Sequence, residues 1–168
     1  RERMTRDLGG DFPGVSINEG AQGLTTSDLM NAEEAVKIHV RAVAPGFARN
    51  EGETLSMPVT GGYRLTPNFA SLSQRRQPVD LIAFTTIDDV YRIKLPAGAK
   101  AVSLPEERAA TSQFGSYSVK VEQAKNEVVV RSKLQVKVPR IEPKDYQAWK
   151  RFCEEADSAF SPRLLVKP

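Results

Sequence analysis

The sequence predicts a mainly β protein, an antiparallel β-sandwich of jelly-roll or immunoglobulin-like type, with one amphipathic C-terminal helix. Three observations carry this. Apolar and polar residues alternate at period two in several short runs, as in strands with one buried face. Those runs are separated by Pro, Gly and Asn turn signals. After Pro139 the period changes, and Tyr146, Trp149, Phe152, Cys153 and Ala156 recur at three- and four-residue steps, marking one face of a helix. Half-buried strands disfavour a parallel α/β arrangement, whose strands read as continuous apolar runs.

The elements follow in order. Residues 1–8 are charged and read as the tail of a helix that Gly9 and Gly10 end. A short strand at 15–17 follows the turn Phe12-Pro13-Gly14. Residues 33–43 alternate: Val36, Ile38, Val40 and Ala42 face one way, Lys37, His39 and Arg41 the other, which predicts one half-buried strand. A strand at 54–57 is closed by Pro58, and the irregular 61–78 reads as a long connection or a short helix at 69–73. Strands are then expected at 79–85 and 90–95, with Asp88-Asp89 as the hairpin turn between them. Further strands fit 101–104, 116–122 and 127–138, the last two joined by a tight turn at Lys125-Asn126 that lacks the favoured glycine. Pro143 suits the first turn of the closing helix, Ser161-Pro162 ends it, and 164–166 returns as a strand. The chain therefore reads as one domain over 1–168, with 1–14 a linker or helix tail from an upstream domain and 143–160 the closing helix.

Composition narrows the function classes. With 40% apolar residues in 168, the chain has material for an ordinary core. Its 24 Lys+Arg against 21 Asp+Glu give +3, too mild a charge to imply nucleic acid. One cysteine excludes an internal disulfide, one histidine excludes a multi-histidine metal centre, and no cofactor is expected. No run of 18 apolar residues offers a membrane span. A chain that opens on Arg1 with no signal-like segment after it reads as a processed form or a piece of something larger.

Candidate chemistry is sparse. Cys153 and His39 are the only residues able to form a thiol–imidazole pair, but Cys153 falls on the apolar helix face and His39 between two cationic neighbours. The adjacent acid pairs Asp88-Asp89, Glu106-Glu107 and Glu154-Glu155 point in different directions and do not make facing carboxylates. Neither Gly9-Gly10 nor Gly61-Gly62 has the spacing or the strand-to-helix setting of a phosphate loop. The outward strand faces carry Lys37, His39, Arg41, Arg92, Lys94, Arg131 and Lys133, with Lys120 and Lys137 beside them. If these strands share a sheet, its outer face is basic and suits a partner domain, a lipid headgroup or an anionic glycan. The plainer reading is a soluble, aggregation-resistant sheet surface. Basic residues are not interleaved with exposed aromatics, so nucleic acid is not an expected partner.

The order of several short motifs resembles a known family. Arg75-Arg76-Gln77-Pro78-Val79-Asp80-Leu81 is similar to an arginine–proline–aliphatic entry to the main sheet, and Tyr91-Arg92-Ile93-Lys94-Leu95-Pro96-Ala97-Gly98 to a strand and its turn. Ser103-Leu104-Pro105-Glu106, Phe114-Gly115-Ser116-Tyr117 and Ile141-Glu142-Pro143-Lys144-Asp145-Tyr146 follow in the same order. Together they resemble the C-terminal β-domain of unknown function that follows the papain-like Cys-His-Asp core of bacterial transglutaminase-like proteins. The resemblance implies an extracytoplasmic, periplasmic or cell-envelope module with no active site of its own, packed against or positioning an upstream transglutaminase-like core. The family's catalytic residues belong to that core and do not map onto this chain. The alternatives are a carbohydrate or cell-wall binding module, resting on the basic face and on Tyr63 or Phe69, and a cryptic thiol enzyme using Cys153 and His39.

Overall fold

The computed structural model describes residues 2–10, 12–20, 23–28, 30–31, 33–61, 63–81 and 86–168. The sequence reads as one domain; its contacts fall into two compact units, Arg1–Arg49 and Asn50–Pro168.

The N-terminal unit holds helix α1 (Glu2–Gly9) and four short strands, β1 (Ser16–Ile17), β2 (Leu24–Thr26), β3 (Ile38–Val40) and β4 (Ala42–Val43). They form two antiparallel ladders of two strands each: Ser16 lies opposite Val43, and Leu24 opposite Val40. The single half-buried strand expected over 33–43 is therefore broken at Arg41, and its halves pair with different partners. It is not half-buried either, since Val36 is 59% and Ile38 49% exposed. A two-stranded ladder has no second layer to cover its apolar face. The helix tail ending at Gly9 and the short strand before Asn18 are found as expected.

The C-terminal unit is built from antiparallel sheets and one long helix. Strand β5 (Arg49–Glu51) leads into it, followed by β6 (Thr54–Pro58), α2 (Leu65–Phe69), β7 (Val79–Asp80), β8 (Thr86–Lys94) and β9 (Lys100–Ser103). Then come β10 (Arg108–Ser112), β11 (Gly115–Ala124), β12 (Glu127–Val136), β13 (Arg140–Ile141), a single 3-10 turn (Pro143–Asp145), α3 (Tyr146–Ala159) and β14 (Arg163–Lys167). One sheet runs β10-β11-β12-β8, a second β5-β6-β14-β9, and β13 pairs with β7. This is the mainly β, antiparallel fold with a C-terminal helix that the alternation predicts.

The large sheet shows why alternation works here. On β11 and β12 the residues Tyr117, Val119, Val128, Val130, Leu134 and Val136 turn to one face and are buried. Helix α3 lays its aromatic stripe there. Trp149 is fully buried, stacked on Phe152 at 5.6 Å and edge-on to Phe114, while Phe152 also meets Tyr117. Aromatic burial of this kind dominates the energetics of small cores. Gly115 permits the sheet to close beside it: a Cβ there would lie 2.0 Å from the Gln135 carbonyl oxygen.

Three expectations are corrected. Asp88-Asp89 is not a hairpin turn but the middle of β8. Two acids in a strand look like a turn, yet here alternation sends them to opposite faces and each finds a partner. Asp88 pairs with Lys133 at 3.3 Å, and Asp89 takes tyrosine hydrogen bonds on the inner side. The strand expected at 79–85 shows only β7, which pairs with β13 rather than with β8; residues 82–85 lie outside the described residues. The short helix sits at Leu65–Phe69, four residues earlier than expected. Its first amides, of Leu65 and Thr66, donate to the Asp157 carboxylate at 2.7 and 2.9 Å, a cap supplied from α3 that no local motif announces. Strand β10 is also new, its Arg108-Ala109-Ala110 run having too little alternation to read as a strand.

Candidate functional site

The connection between β6 and β7, irregular in sequence, is pinned to α3. The Tyr146 hydroxyl accepts from the Leu72 amide at 3.1 Å and donates to its carbonyl at 3.0 Å. Lys150 Nζ donates to that carbonyl at 3.1 Å, Trp149 Nε1 to the Phe69 carbonyl at 3.4 Å, and the Arg75 guanidinium lies 5.8 Å from the centre of the Tyr146 ring. This strapping places α2 beside the first residues of β8 and leaves a cavity of about 440 Å³. Its apolar wall is Leu65, Phe69, Ile87, Leu134, Val136 and Trp149, and Tyr63, Arg64, Asn68 and Asp80 supply the polar groups. Volume and lining match small-ligand and side-chain pockets, which run roughly 300–1,000 Å³.

A polar cluster sits next to it on the inner face of β8. The Tyr63 hydroxyl donates to Asp89 Oδ2, and the Tyr91 hydroxyl donates to the same oxygen at 3.3 Å. Asp89 lies opposite Ser132, itself buried. Burial first, then the hydrogen bond and charge of Asp89, raise the Tyr63 hydroxyl above the ordinary tyrosine range. It is thus a permanent donor and not a base. Tyr63 also packs edge-on against Phe160, with ring centres 5.0 Å apart. Reading the strand as starting at Val90 hides Asp89. The signal was available in Ile87, Asp89, Tyr91 and Ile93, which continue the period two by two further residues.

The basic residues singled out from the sequence fall in two places. Arg92 and Lys94 on β8 share the outer face of the large sheet with Arg131 and Lys133 on β12. That face is mixed in charge: Arg92 pairs with Glu127 at 3.8 Å, Arg131 with Glu122 at 3.7 Å and Lys133 with Asp88 at 3.3 Å. All three cations are about half exposed, so these pairs moderate the field of the face more than they stabilise the fold. Lys37, His39 and Arg41 belong to the N-terminal unit, on and beside β3.

The thiol pair fares differently at its two ends. Cys153 is fully buried on the inner face of α3. Burial, and then the charges of Asp157 and Glu154, push its thiol up, away from the thiolate that nucleophilic chemistry needs. His39 is exposed in the other unit. Among the described residues no group of three His, Cys, Asp or Glu side chains is gathered as a metal site. No described helix is long and apolar enough to cross a membrane.

Comparison with known proteins places the chain. No curated protein matches it. A solved structure described as that of a "putative protease" from Parabacteroides distasonis is similar in fold, with a TM-score of 0.56 at 13% identity, over 71% of this chain. The chain spans only 24% of that one. A family model, described as a domain of unknown function, matches residues 55–166, from β6 through β14. The match covers nearly all of the C-terminal unit, the sheet β10-β11-β12-β8, three strands of the second sheet and the closing helix, and the chain belongs to this DUF3858 family.

Proposed function

We propose that the chain is a non-catalytic accessory domain that packs against or positions an upstream transglutaminase-like core, in an extracytoplasmic bacterial protein. One observation carries the reading. A similar fold occupies 24% of a much longer chain described as a "putative protease". The chain's own chemistry is in keeping with that. Its one thiol is buried and protonated, and its best polar cluster holds a carboxylate with two tyrosines in a hydrogen-bonded, structural arrangement. A transglutaminase-like nucleophile needs an accessible thiolate beside a base. The motif order described above is the support for a transglutaminase-like neighbour in particular.

A glycan-binding module would present aromatic faces to solvent, and the two candidates, Tyr63 and Phe69, line the cavity instead. The test is to delete residues 50–168 from the longer protein and measure turnover. Altered substrate affinity or turnover of a core that still folds is expected. A core that is unaffected, or an isolated chain that hydrolyses amides by itself, would overturn the proposal.

A further inference from the structure

We infer that a second cavity, where the ends of β9 and α3 and the starts of β10 and β14 meet, binds a carboxylate carried on a short apolar stem. This goes beyond an accessory role and does not depend on what precedes the chain. The cavity measures about 440 Å³ and lies within the family match. Arg108, Arg163 and Ser158 supply donors, Glu106 a carboxylate, and Leu104 and Pro162 an apolar wall. Arg163 is the group whose surroundings point to a ligand. It is half-buried, and its Nε and Nη2 donate to the Ser56 hydroxyl at 2.5 Å and the Ser56 carbonyl at 2.8 Å. Ser56 is buried and neutral, so these bonds orient the guanidinium without neutralising it. Among the described residues no carboxylate pairs with Arg163. Arginine keeps its charge at any ordinary pH, and a partly buried charge without a counter-ion is costly. A bound carboxylate removes that cost through a charge-assisted bond to the guanidinium.

Arg108 lines the same cavity and shows which anion fits. Its Nη2 donates to Glu106 Oε2 at 3.2 Å and its Nη1 to the Ser158 hydroxyl at 3.2 Å. Glu106 is 81% exposed, and an exposed ion pair is worth little, so its carboxylate gives way to one held by two guanidiniums. The fold makes the room. Strand β9 pairs with β14 only as far as Ser103 opposite Leu165, with a shift of register beside it. Such irregularities re-aim side chains next to binding sites. Leu104 and Pro105 then carry the chain to β10, which leaves the start of β14 unpaired by β9. The carbonyl end of α3 would disfavour an anion, but it is occupied: the Ser161 hydroxyl donates to the Asp157 carbonyl and the Phe160 amide to that of Ala156.

The test titrates the isotope-labelled full chain, at constant ionic strength, with butyrate, with acetyl-Ala-Ala-Val bearing a free C-terminal carboxylate, and with the C-terminal amide of that peptide. A carboxylate probe is expected to shift the amide resonances of Ser103, Leu104, Ser158 and Arg163 and to saturate at millimolar concentration. Saturation by butyrate alone identifies a free acid as the ligand, and saturation by the peptide alone a chain terminus. The peptide amide should not bind. Arg108→Gln, at an exposed position, and Arg163→Gln should each weaken binding about tenfold, the scale of one charge-assisted bond. Glu106→Gln should tighten it several-fold by freeing Arg108. Glu122→Gln, which removes the same charge from the outer face of the large sheet, should leave it unchanged. The Arg108 variant keeps the test decisive if Arg163→Gln does not fold. Equal binding of peptide acid and amide, full binding by Arg108→Gln, equal effects of the two glutamate substitutions, or no saturable shift at these residues would each overturn the inference.

Discussion

Strands β3 and β12 have the same kind of sequence and opposite fates. Around β3, Val36, Ile38 and Val40 alternate with Lys37, His39 and Arg41; along β12, Val128, Val130 and Leu134 alternate with Val129, Arg131 and Lys133. Ile38 is 49% exposed and Val130 not at all. The difference is the layer behind them. In the C-terminal unit β12 is flanked by two strands and roofed by the α3 aromatics, whereas β3 pairs with three residues of β2. Gly23 is the only buried residue among those described in the N-terminal unit, and the buried apolar set begins at Met57. Alternation reports that a strand has two unlike faces; burial needs a partner that the local pattern does not contain.

The contrast can be broken by substitution. Trp149→Ala is expected to cost about 3–5 kcal/mol, the range for removing a large buried aromatic, against at most about 0.5 kcal/mol for Ile38→Ala at an exposed site. Urea denaturation of both variants checks this, and equal losses would erase the distinction between the units. Gly115→Ala should cost about 1–3 kcal/mol by forcing β11 away from the Gln135 carbonyl, seen as a lower denaturation midpoint. Tyr63→Phe removes one of the donors to Asp89 and should cost about 1–3 kcal/mol, or less where water reaches the carboxylate. Deleting residues 1–49 should change the melting temperature of the remainder least, because the buried apolar residues among those described begin at Met57.

Alkaline pH sharpens the same point. Cys153, Tyr63 and Tyr117 all have their ionisation raised in the fold, chiefly by burial. In the unfolded chain they ionise near their ordinary values of 9.0 and 10.0, so above those values the unfolded state holds fewer protons than the native one. Stability from these groups is complete below about pH 9 and falls as pH rises further. All three lie in the C-terminal unit. Cys153→Ala should flatten the loss between pH 8 and 10 in denaturant titrations, and an unchanged slope would assign the loss to the tyrosines.

Much of the fold was legible because the strongest signals were local. The β11–β12 hairpin, the period change after Pro139 and the return of β14 each rest on residues close in sequence. What was hidden depends on distant partners. The α2 cap comes from Asp157, about ninety residues away, and Asp89 reads as a turn residue until Tyr63 and Tyr91 are seen around it. The cavity was invisible for the same reason, being assembled from α2, α3 and three strands. The basic residues were visible one by one, but Asp88, Glu122 and Glu127 interleave with them only once the strands are in register.

The most direct test of an accessory, non-catalytic role is calorimetric titration of this chain into the separately expressed core that we propose precedes it, with core turnover followed in parallel. Saturable association that changes turnover several-fold is the expected result. No association, together with amide hydrolysis by the isolated chain that disappears in Cys153→Ala, would contradict it.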